Sequence, residues 1–278
     1  MRKILFLTVF GLLVTLSLSA KQVEKAGLLV MAHGGSPEWN RAVLDAVMPL
    51  EKTYSTAVAF GMANPKTLQD AVFELEHEGV TRIAVVRLFM SAESFLLRTL
   101  YSLRLSNDES VFSEYSGPPR QLDIAVPVSI NKEGLLDASF VGQVLTKRAS
   151  GLSTEPEKET VLIIGHGPEN DEENQRWLER MNLLAESVRE SALFHTVRVF
   201  TLREDWTGKR KPIELELQTL LRSEAEAGRE VLVIPFRLFG FGPYAEVLDG
   251  LSYRADSLGL LPDTRVSDWI REQLEAQF

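Results

Sequence analysis

The chain says the same thing twice, and that repetition limits its fold more than any other feature. Leu28-Leu29-Val30-Met31-Ala32-His33-Gly34 is matched by Leu162-Ile163-Ile164-Gly165-His166-Gly167, an apolar run ending in His-Gly in both cases. Arg87-Leu88-Phe89 returns as Arg237-Leu238-Phe239, each behind an apolar run that follows a helical pattern closed by glycine, Gly79 or Gly228. Short apolar runs separated by helical patterns read as βαβ units, which build parallel sheets covered by helices. The spacing predicts strands at 27–32, 56–60, 82–89 and 122–126 in the first copy. Helices follow at 38–54, from Asn64-Pro65 to Gly79, at 92–105 and at 133–147. The second copy reads as strands at 161–164, 197–202 and 230–235 with helices at 171–191, 212–227, 244–257 and 267–275. The polar run 150–159 separates them as a linker, giving domains at 21–149 and 160–278.

Residues 1–20 stand apart. A basic start, Arg2-Lys3, an apolar stretch from Ile4 to Leu16 and small residues up to Ala20 have the layout of a secretory signal peptide. The expected product is periplasmic or secreted, with no stable membrane span after cleavage; the alternative is an N-terminal membrane anchor. With 30 basic against 39 acidic side chains, net −9, a broad nucleic-acid-binding face is excluded. No cysteine is present, so any metal must be held by nitrogen or oxygen. The 4 histidines are His33, His77, His166 and His195. His77 suits a helix C-terminus and His195 has no counterpart, so neither marks a site.

Ligands of parallel α/β sheets bind at the carboxyl ends of the strands, where both His33 and His166 fall. One such histidine would read as a residue bonded to a loop carbonyl; two at one topological place point to function. Neutral imidazole at an open strand end can bind a divalent transition metal or take a proton. Arg87 and Arg237 read either as bridges to loop carbonyls or as ligand contacts.

The paired His-Gly turns, the duplication and the Gly240-Phe241-Gly242-Pro243-Tyr244 segment resemble the sirohydrochlorin cobaltochelatase and ferrochelatase group. These are class II chelatases, which insert a divalent metal into a tetrapyrrole without ATP, and the absence of a GxxxxGK[ST] loop agrees. The resemblance runs from about Gly27 to about Trp269. It implies an α/β fold of two similar, flavodoxin-like parallel-sheet halves facing a cleft. It implies Co²⁺ or Fe²⁺ as a substrate, with no nucleotide or organic cofactor, and a tetrapyrrole as the other substrate. Pro243-Tyr244-Ala245-Glu246-Val247-Leu248 matches the family segment that carries an active-site glutamate, which makes His166 and Glu246 the expected metal-binding and catalytic pair, with His33 helping. The family's second histidine is absent: its place falls near Ser94 or Phe95 in the first copy and at Tyr244 in the second. Tyr244, Trp206, Lys209, Arg210 and Lys211 are the expected substrate contacts, the last four as a cationic lid or, in the plainer reading, a solvated loop. A non-catalytic periplasmic metal or tetrapyrrole binder is the alternative. A hydrolase is set aside because no GxSxG elbow occurs.

Overall fold

A computed structural model describes residues 24–112 and 120–278; the expected signal, residues 1–20, lies outside the described residues. The first half runs β1 (Ala26–Ala32), α1 (Pro37–Val47), β2 (Ser55–Phe60), α2 (Pro65–His77), β3 (Arg82–Leu88), α3 (Leu96–Ser102), β4 (Val128–Ile130) and α4 (Phe140–Leu152). The second runs β5 (Glu159–Gly165), α5 (Asp171–Ser191), β6 (Thr196–Thr201), α6 (Thr207–Glu226), β7 (Glu230–Phe236), α7 (Tyr244–Val247), β8 (Arg254–Ala255) and α8 (Thr264–Glu275). Among the described residues no helix is long and apolar enough to cross a membrane.

Each half holds a parallel sheet of the same order, β2-β1-β3-β4 and β6-β5-β7-β8. The register repeats as well. Ala32 lies opposite Phe60 and Leu88, and Gly165 opposite Thr201 and Phe236, so both histidines leave the carboxyl end of an inner strand.

Successive strand residues face opposite sides of a sheet. Leu29, Met31, Ile83 and Val85 pack outward on Leu68, Val72 and Leu75 of α2. Leu162, Ile164, Val231 and Val233 pack outward on Leu217 and Leu221 of α6. The alternate residues Leu28, Val30, Val86, Val161, Ile163, Leu232 and Ile234 face one shared core containing residues of α1, α4, α5 and α8. Two helices change sides to build it. Helix α4 follows β4 but packs on α5 and β7, whereas the last helix, α8, returns to α1 and β3. Tyr54 donates to Glu275 at 3.0 Å and Gln277 donates to the Val85 carbonyl at 3.3 Å, fixing that return. The polar run 150–159 begins inside α4, and its end is held by Glu159, whose carboxylate accepts the Thr154 and Glu155 amides at 2.8 and 3.0 Å.

Several expected elements differ. Residues 122–126 form no strand, because side chains of α2 take their backbone donors: Asp123 N–H donates to Gln69 at 2.8 Å and Ala125 N–H to Glu76 at 2.6 Å. The expected helix at 133–147 opens instead with a short turn at Leu135–Asp137. There the loop at 90–92 lies directly on Gly134, where a Cβ would come within 2.4 Å of the Ala92 amide nitrogen. The helix expected at 92–105 is the short α3, and that at 244–257 is the single turn of α7 followed by β8. Helix α6 starts before Pro212, with the Lys209 and Arg210 amides both donating to the Trp206 carbonyl at 2.8 Å. Lys209, Arg210 and Lys211 therefore sit on a helix, not in a loop.

Candidate active site at the second sheet edge

The two His-Gly turns share one geometry. His33 Nδ1 lies 2.9 Å from the Gly34 carbonyl, and His166 Nδ1 lies 2.7 Å from that of Gly167. A carbonyl only accepts, so Nδ1 donates in each, and Nε2 is the nitrogen left for other chemistry. The ring can meet the next residue's carbonyl because both glycines are left-handed, φ 82° and 74°. Gly167 is also required sterically: a Cβ would come 2.6 Å from Thr201 Cβ.

The turns then diverge. His33 is exposed, and the adjoining turn after β2 is Gly61-Met62-Ala63, without a charged or hydrogen-bonding side chain. After β6 stand three charged residues that point three ways. Arg203, left-handed at φ 58° and buried, donates from Nε to the Pro168 carbonyl and from Nη2 to the Glu169 carbonyl. Its Nη2 also meets Asp171 at 2.9 Å, and its amide donates to the His166 carbonyl at 2.7 Å. Glu204 turns inward, ion-paired with Arg237 and accepting the Tyr244 hydroxyl at 3.1 Å. Asp205 faces out, its Oδ2 3.1 Å from His166 Nε2. The Trp206 ring stands edge-on to the imidazole, centroids 5.8 Å apart at 87°.

The structure therefore brings His166 and Trp206 together and adds a carboxylate that the sequence analysis missed. Glu246 lies on α7, 81% exposed, and its ion pair is with Arg210 at 3.6 Å; the carboxylate His166 meets is Asp205. Lys209 pairs with Asp171 at 2.5 Å, and both cations hold that carboxyl below its ordinary value, Lys209 first and then Arg203. Lys211 is exposed. Tyr244 is fully buried beneath Glu204, a wall residue rather than an accessible substrate contact. Burial raises its phenol well above the ordinary value, and Glu204 adds to the effect. Among the described residues no group of three or more His, Asp or Glu side chains is arranged to hold a metal ion.

Of the two roles open to the repeated arginines, Arg87 takes the bridge to loop carbonyls and Arg237 takes neither. Arg87 is wholly buried and bonds to the carbonyls of Ala92 and Ser94, both at 2.8 Å, and of Asn131 at 3.2 Å. Arg237 instead supports Glu204. Between the carbonyls that Arg87 holds, Glu93 reaches the other half and pairs in bidentate fashion with Arg176 on α5, at 2.8 and 3.0 Å.

No protein-family model matches the chain, and no curated protein matches it. Solved structures do. The sirohydrochlorin chelatase SirB from Bacillus subtilis subspecies spizizenii, in complex with cobalt, superposes with a TM-score of 0.58 at 14% identity, over 91% of this chain and 95% of that one. SirB from Bacillus subtilis with Fe³⁺ gives 0.62 at 16%, with the same 91% and 95% coverage. CbiX, the terminal enzyme for biosynthesis of sirohaem in denitrifying bacteria, gives 0.52 at 15%, over 92% and 100%. The fold is that of the sirohydrochlorin chelatases.

On this chelatase fold, the signal that could have found Asp205 is the run Arg203-Glu204-Asp205. It lies just after a strand on the same sheet edge as His166, but charges are ordinary in a surface loop, so the run alone does not single out Asp205.

Proposed function

We propose that this chain inserts a divalent metal ion, Co²⁺ or Fe²⁺, into a tetrapyrrole such as sirohydrochlorin without ATP. The observation that carries the reading is the His166–Asp205 pair, a nitrogen and an oxygen 3.1 Å apart at the carboxyl edge of a chelatase-fold sheet. Insertion removes two pyrrole protons and passes the ion from water to ring nitrogens. A mixed imidazole–carboxylate set holds a borderline divalent ion without trapping it as thiolates would. An imidazole nitrogen is also a group that can take up a pyrrole proton once the ion has passed to the macrocycle. With two protein ligands, the remaining coordination positions stay open to water and then to the macrocycle.

Trp206 offers an aromatic ring beside the imidazole for stacking. Lys209, Arg210 and Lys211, on the first turns of α6, supply cations and a helix N-terminus for substrate carboxylates. His33, on the first sheet's edge, and Glu246, beside Arg210, serve as helpers. The site works in the periplasm or outside the cell.

A second reading, a non-catalytic metal or tetrapyrrole binder, is favoured by one fact: Lys209 and Arg210 already pair with Asp171, Glu214 and Glu246. Incubation with sirohydrochlorin and Co²⁺ in the absence of nucleotide, followed by absorbance, separates the two. Insertion faster than in buffer supports the chelatase; saturable binding of either ligand at the uncatalysed rate supports the binder.

A further inference from the structure

We propose that Arg203 is a positioning residue that holds the His166 imidazole in its working orientation. The inference rests on His166 being the working imidazole of the reading above. Arg203 grips the His166 loop at both ends. Its backbone amide donates to the His166 carbonyl at 2.7 Å, and its guanidinium takes the Pro168 and Glu169 carbonyls and the Asp171 carboxylate at 2.9 Å. The loop it spans contains Gly167, whose carbonyl fixes Nδ1 of His166 at 2.7 Å. A planar fork with donors on separate nitrogens suits such a set of acceptors; an ammonium does not reproduce it.

A comparison of the two halves points to a built device rather than an incidental bridge. The first half carries the same His-Gly turn with no such grip, since Gly61-Met62-Ala63 offers no side-chain donor, and there the histidine is exposed.

The test uses the full mature chain labelled with ¹⁵N-histidine. In the wild type, His166 is expected to show an Nδ1–H resonance protected from solvent exchange. In Arg203→Met that protection is lost while the His33 signals stay unchanged, and Co²⁺ affinity by calorimetry falls about tenfold, as for other groups that orient metal ligands. Arg229→Met, which removes a different ion pair, with Glu224, controls for a general loss of stability and should leave His166 untouched. If Arg203→Met does not fold, Arg203→Lys replaces it, with the same expected loss of protection. A folded Met or Lys variant with a protected His166 Nδ1–H and wild-type Co²⁺ affinity overturns the proposal. Loss of His166 protection and of Co²⁺ affinity in Arg203→Met, beside a wild type that inserts no metal, fails the insertion reading and leaves standing the hold of Arg203 on a metal-binding imidazole.

Discussion

Asp205 is 70% exposed, so its carboxylate meets solvent and an incoming cation equally well, and its use lies in where it stands rather than in any stability it confers. Asp205→Asn keeps the shape and removes the charge. It should lower Co²⁺ affinity about tenfold by calorimetry, with no measurable change in urea midpoint. Glu246→Gln, at the Arg210 pair, should change affinity less than about twofold, in line with the small worth of exposed ion pairs. A larger effect at Glu246 than at Asp205 would return the site to the arrangement that the sequence implied. Arg87 is the opposite kind of residue, a buried cation whose hydrogen bonds go to neutral acceptors, and burial lowers its pKa to about 10. Arg87→Met leaves carbonyls of Ala92, Ser94 and Asn131 without that donor, and should cost at least about 1–3 kcal/mol in urea unfolding, the figure for leaving one buried acceptor, that of Asn131, unsatisfied. Both histidines were legible because each ends a buried apolar run. Asp205 was not, since a carboxylate after a strand is common and only its neighbour in space gives it meaning.

The elements that depend on local pattern were the readable ones. Both inner strands of each sheet, the Asn64-capped α2 and the long α5 follow from apolar periodicity and capping residues. What the pattern could not show is where a helix packs. Nothing in the sequence of α4 says that it leaves its own sheet for α5, and α8 looks like an ordinary amphipathic helix until Trp269, Ile270 and Leu274 are found in the shared core. The segment at 122–126 failed for a related reason: its apolar alternation is real, but Gln69 and Glu76 claim its amides. The exchange is fastened at Asp263, which caps α8 through the Arg265 amide at 3.2 Å and pairs with Lys147 of α4 at 3.0 Å. Burial works against ionisation of this carboxyl, and the bonds from Lys147 and Arg265 outweigh it, holding it below its ordinary value. A carboxyl with a lowered folded-state pKa contributes stability above the unfolded value of about 4, and loses it as pH falls through the folded value. Asp263→Asn keeps a good cap and removes the charge. It should cost about 1 kcal/mol at pH 7, and the gap from wild type should close as pH drops below about 4 in parallel urea titrations.

For the whole molecule, the exchange of α4 and α8 means that neither sheet has its inner face covered by its own half alone. The shared core draws on both, from Leu28 and Val86 to Ile163 and Ile234, and Glu93–Arg176 joins the halves near the strand ends. Unfolding should therefore be one cooperative transition, a single calorimetric peak whose van't Hoff and calorimetric enthalpies agree; two separable peaks would show independent halves. The duplication predicts two like sheets, and matching strand order and register bear this out, because strand pairing follows local pattern and a right-handed crossover leaves few alternatives. The structural asymmetry between the halves was only partly legible: the sequence singled out Glu246 as the carboxylate of the second copy, whereas the carboxylate that His166 meets is Asp205, on the turn after β6. On the proposed function the second sheet edge carries metal insertion and the first assists. The deciding measurement is the rate of Co²⁺ insertion into sirohydrochlorin, without nucleotide, in wild type, His166→Ala and His33→Ala. His166→Ala should fall to the rate in buffer while His33→Ala keeps most of the wild-type rate. Insertion by His166→Ala at the wild-type rate, or a wild type no faster than buffer, would contradict the proposed function.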